Sequence, residues 1–145
     1  MEYESFIEVE STLAEGVRFR IRRMSFGRRL ELIERLHTLL KRLEFLQGQP
    51  NPSPTAEAEI AGAAAEIDRE HLRWGLAAVS GLTIDGHEAT PETLLEKGPE
   101  PLLEEALRAV RRESGLDEEE RKNSESHSTS QSAAEPGGDA ENAAA

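Results

Sequence analysis

Between Val17 and Arg23 apolar and basic side chains alternate, with Val17, Phe19 and Ile21 on one side and Arg18, Arg20 and Arg22 on the other. That is the pattern of a strand with one dry and one wet face, and Val, Phe and Ile favour extended backbone. A shorter, partly alternating run (Phe6, Ile7, Val9, Leu13) precedes it, and Ala14-Glu15-Gly16 lies between the two. The pair predicts a β-hairpin over 5–24. A lone hairpin is marginal in water, so its dry face needs helices or a partner to lie on.

From Phe26 the period changes. Leu30, Ile33, Leu36, Leu40 and Leu43 recur at intervals of three and four, with Leu32, Leu39 and Leu46 widening the stripe. This predicts an amphipathic helix over 26–47, capped by Ser25 and ended by Gly48. Pro50, Pro52 and Pro54 then break the helix into a loop. Thr55 is the next predicted cap, opening a helix over 56–79 in which Ile60, Ile67 and Trp74 recur every seven residues beside Ala63, Ala64, Ala77 and Ala78. Small residues at that spacing permit close antiparallel packing, so the two long helices are expected to form a helical hairpin anchored by Trp74.

Asp85-Gly86 marks a turn within 81–86, with at most a little strand. Thr90 caps and Pro91 opens a short helix that runs to Lys97 and stops at Gly98-Pro99. A last helix over 100–114 is expected to turn Leu102, Leu103, Ala106, Leu107 and Val110 inward, with Gly115 as its stop. Asp117 and Glu120 have capping-box spacing for one further turn. Beyond Asn123 small and polar residues dominate, and such a segment buries too little to offset its chain entropy. The expected class is α+β, mainly α: one folded domain over 1–122 (hairpin 5–24, helices 25–122) and a disordered tail over 123–145.

Charge sharpens this outline. The 145-residue chain carries a formal −12, yet residues 17–43 alone balance at +7, against −5 for 1–16, −10 for 44–122 and −4 for 123–145. A basic belt inside an acidic chain is either neutralised by acidic neighbours in the fold or offered to an acidic partner. The overall charge disfavours generic nucleic-acid binding, since phosphates repel it. A chain of this length leaves part of its apolar surface uncovered, which a partner or a second copy could mask. The acidic start lacks a secretory signal and no stretch reaches the roughly 20 apolar residues of a membrane span, so a soluble, cytoplasmic protein is expected.

The chemistry of catalysis is hard to find. Cysteine is absent, and His37, His71, His87 and His127 form no metal-binding pair. Glu66, Asp68 and Glu70 cluster, but adjacent helical positions point different ways and the group reads as a solvated helix face; no phosphate-binding glycine loop or nucleophile elbow occurs. Asp85-Gly86 lacks the other oxygen ligands of a calcium loop. No enzymatic activity, metal or cofactor is expected. The candidate contact surface is instead the basic and apolar segment 17–43: Phe19, Ile21, Arg22, Phe26, Arg29, Leu30 and Ile33.

Three stretches carry a resemblance: Val17 through Arg29, a strand running into a basic helix start; Trp74-Gly75-Leu76 through Gly86; and Thr90-Pro91-Glu92 through Gly98-Pro99-Glu100, with Glu119-Glu120-Arg121-Lys122-Asn123 further on. Over about residues 5–123 the chain resembles the small tail-assembly chaperones of long-tailed bacteriophages and prophages. The resemblance implies a mainly helical protein of the bacterial host cytoplasm. It implies binding to the long, coiled-coil-prone tape-measure protein, help in recruiting tail-tube subunits, and absence from the finished virion. It also implies a longer frameshifted form, for which an A-rich slippery codon run at Lys122-Asn123 is a candidate. Two other readings stay open: a structural subunit of the phage neck or tail, and a nucleic-acid-associated regulator using the arginine belt.

Overall fold

The computed structural model describes residues 1–115, of which Met1–Ser114 forms one compact unit. The further turn at 117–120, the domain end at 122, the disordered tail and the Arg121-Lys122-Asn123 motif lie outside the described residues.

The hairpin forms where the alternation places it. β1 (Phe6–Glu10) pairs antiparallel with β2 (Arg18–Arg22), setting Ile7 opposite Ile21 and Val9 opposite Phe19 on one face, Glu8 opposite Arg20 and Glu10 opposite Arg18 on the other. The apolar face is the floor of the core, where Phe19 and Ile21 are fully enclosed. The wet face is paired in charge: Arg18 lies 2.9 Å from Glu10 and Arg20 lies 3.9 Å from Glu8.

The helix expected over 56–79 is shorter than its composition predicts. It ends at Gly75, and Leu76–Ser80 is a third strand, β3, on the far side of β2. Ala77 and Ala78 favour helix in isolation, but a central β2 with one open edge gains a full ladder from this segment, and tertiary pairing overrides propensity. Between Arg20 and Ile21 the register slips, with Ala78 opposite Arg20 and Leu76 opposite Ile21. The extra residue, Ala77, is a bulge, and it lets Leu76 and Val79 both reach the core despite their odd spacing.

α1 (Phe26–Gln47) starts at Ser25, whose hydroxyl accepts from the Arg28 amide. α2 (Pro54–Gly75) is capped by Ser53 and not by Thr55: the Ser53 hydroxyl accepts from the Ala56 amide, which leaves Pro54 at the first helical position, where its missing N–H is harmless. The two helices make the expected antiparallel hairpin. At its sheet end the Trp74 indole N–H donates to the Arg28 carbonyl at 3.2 Å, joining the end of α2 to the start of α1.

After β3, Thr83–Ile84 (β4) and His87–Glu88 (β5) form a minimal hairpin around Asp85-Gly86, both with positive φ as a tight two-residue turn needs. α3 (Pro91–Lys97) carries a reciprocal cap between Thr90 and Thr93. α4 (Glu100–Ser114) closes the core with Leu102, Ala106, Leu107, Ala109 and Val110, against α2 and β2. The fold is α+β and mainly helical.

Candidate protein-binding surface

The candidate residues of segment 17–43 divide into two groups. Phe19 and Ile21 have 0% exposure, so they are core and have no surface to present. Their alternation with arginine marked a dry face, and that face is covered by the chain's own helices. Phe26, Leu30 and Ile33 stand at 81%, 50% and 56% exposure on α1, and Leu40, about two turns further along, at 48%. Arg29 is exposed beside them, and Arg22 is half-buried.

α1 carries two apolar ladders and not one broad stripe. Leu32, Leu36 and Leu46 are buried, with Leu39 and Leu43 partly buried, giving steps of four, three, four and three toward α2. Phe26, Leu30, Ile33, His37 and Leu40 take the same steps on a separate face, and every one of them is exposed. Such spacing is the seam of a two-helix coiled coil. One ladder meets α2. The other has no helix of the described residues against it, and it extends about 21 Å along the axis at 1.5 Å per residue. The signal was present in the sequence: α1 has more leucines than one face of a helix can hold, and the surplus is itself heptad-spaced.

Arginines gather at the N-terminal end of this seam. The Arg20 guanidinium lies 4.3 Å from the centre of the Phe6 ring, with those of Arg28 and Arg22 at 5.9 and 6.0 Å. Arg23 lies 5.4 Å from the Tyr3 ring. These faces hold cations without discharging them. Arg18, Arg20 and Arg35 have carboxylate partners, Arg35 at 3.0 Å from Glu31 and 3.9 Å from Glu70. Arg22, Arg23, Arg28 and Arg29 have none within 4.0 Å among the described residues, and Arg22 Nε is buried without a hydrogen-bond partner among them. The first turn of α1 holds no acidic residue. Arg28 and Arg29 there oppose the helix dipole, which favours anions at that end. The belt is thus only partly neutralised: Arg18 and Arg20 on the sheet by β1, and Arg35 by Glu31 and Glu70, but not the start of α1.

Glu105 on α4 grips the β1–β2 loop, accepting from the Ser11 hydroxyl and, at 2.7 Å each, from the Thr12 amide and hydroxyl. Burial pushes its carboxyl up, but the hydrogen bonds from Ser11 and Thr12, with Arg108 nearby, outweigh this and hold it below the usual carboxylate range. Sequence reasoning did not find Glu105, because its partners are more than ninety positions away. Leu72, Arg73, Leu76, Pro91, Glu92 and Leu95 line a cleft between α2 and α3, with no nucleophile–base pair among them. His71 is buried with Nδ1 donating to the Ile67 carbonyl at 3.0 Å, while His37 lies on the exposed seam. Among the described residues no cluster of three metal-ligating side chains occurs, and no helix is long and apolar enough to cross a membrane.

No protein-family model matches the chain, and no curated protein or solved structure matches it.

Proposed function

We propose that this chain is a phage tail-assembly chaperone, acting by binding and not by catalysis: in the host cytoplasm it takes helical segments of the tape-measure protein onto the outer seam of α1, keeps that protein in solution and helps recruit tail-tube subunits to it. The observation that carries this reading is the exposed heptad series Phe26, Leu30, Ile33 and Leu40. Large apolar side chains repeated along one helix face favour burial by roughly 25 cal/mol per Å² of surface removed from water. A tape-measure chain rich in coiled-coil segments supplies the matching ladder. The net charge of −12 supports the solubilising role, because a strongly charged coat keeps the complex from associating further.

The test is co-purification. Expressed with the tape-measure protein of the same phage, the tagged chain is expected to bring it through affinity and size-exclusion steps as a soluble complex, and to be missing from purified virions. A tape-measure protein that stays insoluble beside this chain contradicts the reading. So does the chain's presence in finished particles at structural stoichiometry, which would make it a neck or tail subunit.

A further inference from the structure

We infer that the outer seam of α1 selects a foreign amphipathic helix of about two heptads that carries acidic residues at one end, docked so that the acidic end lies against Arg23, Arg28 and Arg29. This rests on the reading of α1 as a docking helix and adds to it a chemical signature of the segment captured.

Charge complementarity chooses the occupant. Arg29 follows Phe26 by three positions and precedes Ile33 by four, so it flanks the seam beside both. With Arg28 in the same first turn, and Arg23 just before the Ser25 cap, it sets at one end of the apolar track a positive charge that no carboxylate of the described residues pairs. The other end also carries cations, Lys41 and Arg42, but with Glu44 close behind them and Phe45 exposed. A second copy of this chain fits poorly along the same seam. A parallel pair sets Arg28 and Arg29 against their equivalents, and an antiparallel pair sets them near Lys41 and Arg42. Both arrangements bring like charges together, the device by which coiled coils reject partners. A helix with glutamates at one end satisfies the apolar ladder and the arginines together, and it supplies the anion that the α1 dipole lacks.

The experiment titrates the full chain into fluorescent 16-residue helical peptides with leucine at both heptad core positions and three terminal residues that are Glu, Gln or Lys, placed at either peptide end. The expected result is that a Glu-ended peptide binds about tenfold more tightly than its Gln counterpart, in the range three exposed charge pairs supply, with the Lys-ended one weakest and the gap closing as salt rises. Arg28→Gln/Arg29→Gln is expected to abolish that preference, so that the Glu-ended and Gln-ended peptides bind alike. Leu30→Gln/Ile33→Gln, shown folded by circular dichroism, is expected to weaken all three. Equal binding of the Glu and Lys peptides overturns the acidic-end inference and leaves the docking role standing. Binding of none overturns both, whether the seam is filled by a second copy, which sedimentation detects as a dimer dissociated by Leu30→Gln/Ile33→Gln, or by the chain's own acidic segment 117–120.

Discussion

At the scale of single residues, contacts between positions distant in the chain fix the fold's geometry. A Cβ placed on Gly75 falls 2.4 Å from Val110 Cγ1, so α4 lies on the end of α2 only because that position has no side chain. Gly75→Ala is expected to force the two apart and cost roughly 1–3 kcal/mol in urea denaturation, as overpacking of a filled core does. Glu105 is the polar counterpart. Its carboxyl is held below the usual range in the folded chain, so its grip on Ser11 and Thr12 stabilises fully above the unfolded-state pKa and is lost as pH falls through the lowered one. Glu105→Gln is therefore expected to be less stable than the parent chain at neutral pH, and the two denaturation curves should converge on acidification through the carboxylate range. Neither residue announces itself in the sequence. Gly75 falls inside the helix expected over 56–79, and Glu105 reads as one more charge on a solvated face.

At the scale of elements, α1 shows where a periodic pattern stops being decisive. Periodicity placed the helix and its Ser25 cap correctly. It could not choose which of two interleaved ladders faces inward, because both have coiled-coil spacing and only the position of α2 breaks the tie. The two ladders should respond differently to mutation. Leu36→Ala removes a side chain 4% exposed and is expected to cost about 2–5 kcal/mol, whereas Leu30→Gln, on the outer ladder, should change stability by only about 0.5 kcal/mol. Thermal melts of the pair check this directly. The end of α2 failed for a related reason. Alanines at 77 and 78 fit a helix on local grounds, and only the open edge of β2, set by residues almost sixty positions earlier, makes them strand. The hairpin, by contrast, was legible in full, because strict alternation of Val17, Phe19 and Ile21 with arginines leaves one way to sort the faces.

At the scale of the whole molecule, the distribution of charge and apolar surface supports the proposed binding role. Acidic strand and helix residues neutralise Arg18, Arg20 and Arg35, while the start of α1 keeps its positive charge beside a hydrophobic track that the described residues leave exposed. Half of the candidate surface was therefore readable from the chain: Phe26, Arg29, Leu30 and Ile33 are where a partner can reach them, and Phe19 and Ile21 are core because the same strand that carries the arginines also floors the fold. The claim on which the account turns is that the outer ladder of α1 serves another chain and not this one. It is tested most directly by the soluble fraction of co-expressed tape-measure protein with the parent chain and with Leu30→Gln/Ile33→Gln, each chain's melting temperature being recorded alongside. The account predicts that the double variant melts within a few degrees of the parent, the shift expected of surface changes, and leaves the tape-measure protein in the pellet. A variant that melts with the parent and still keeps the tape-measure protein in solution contradicts it.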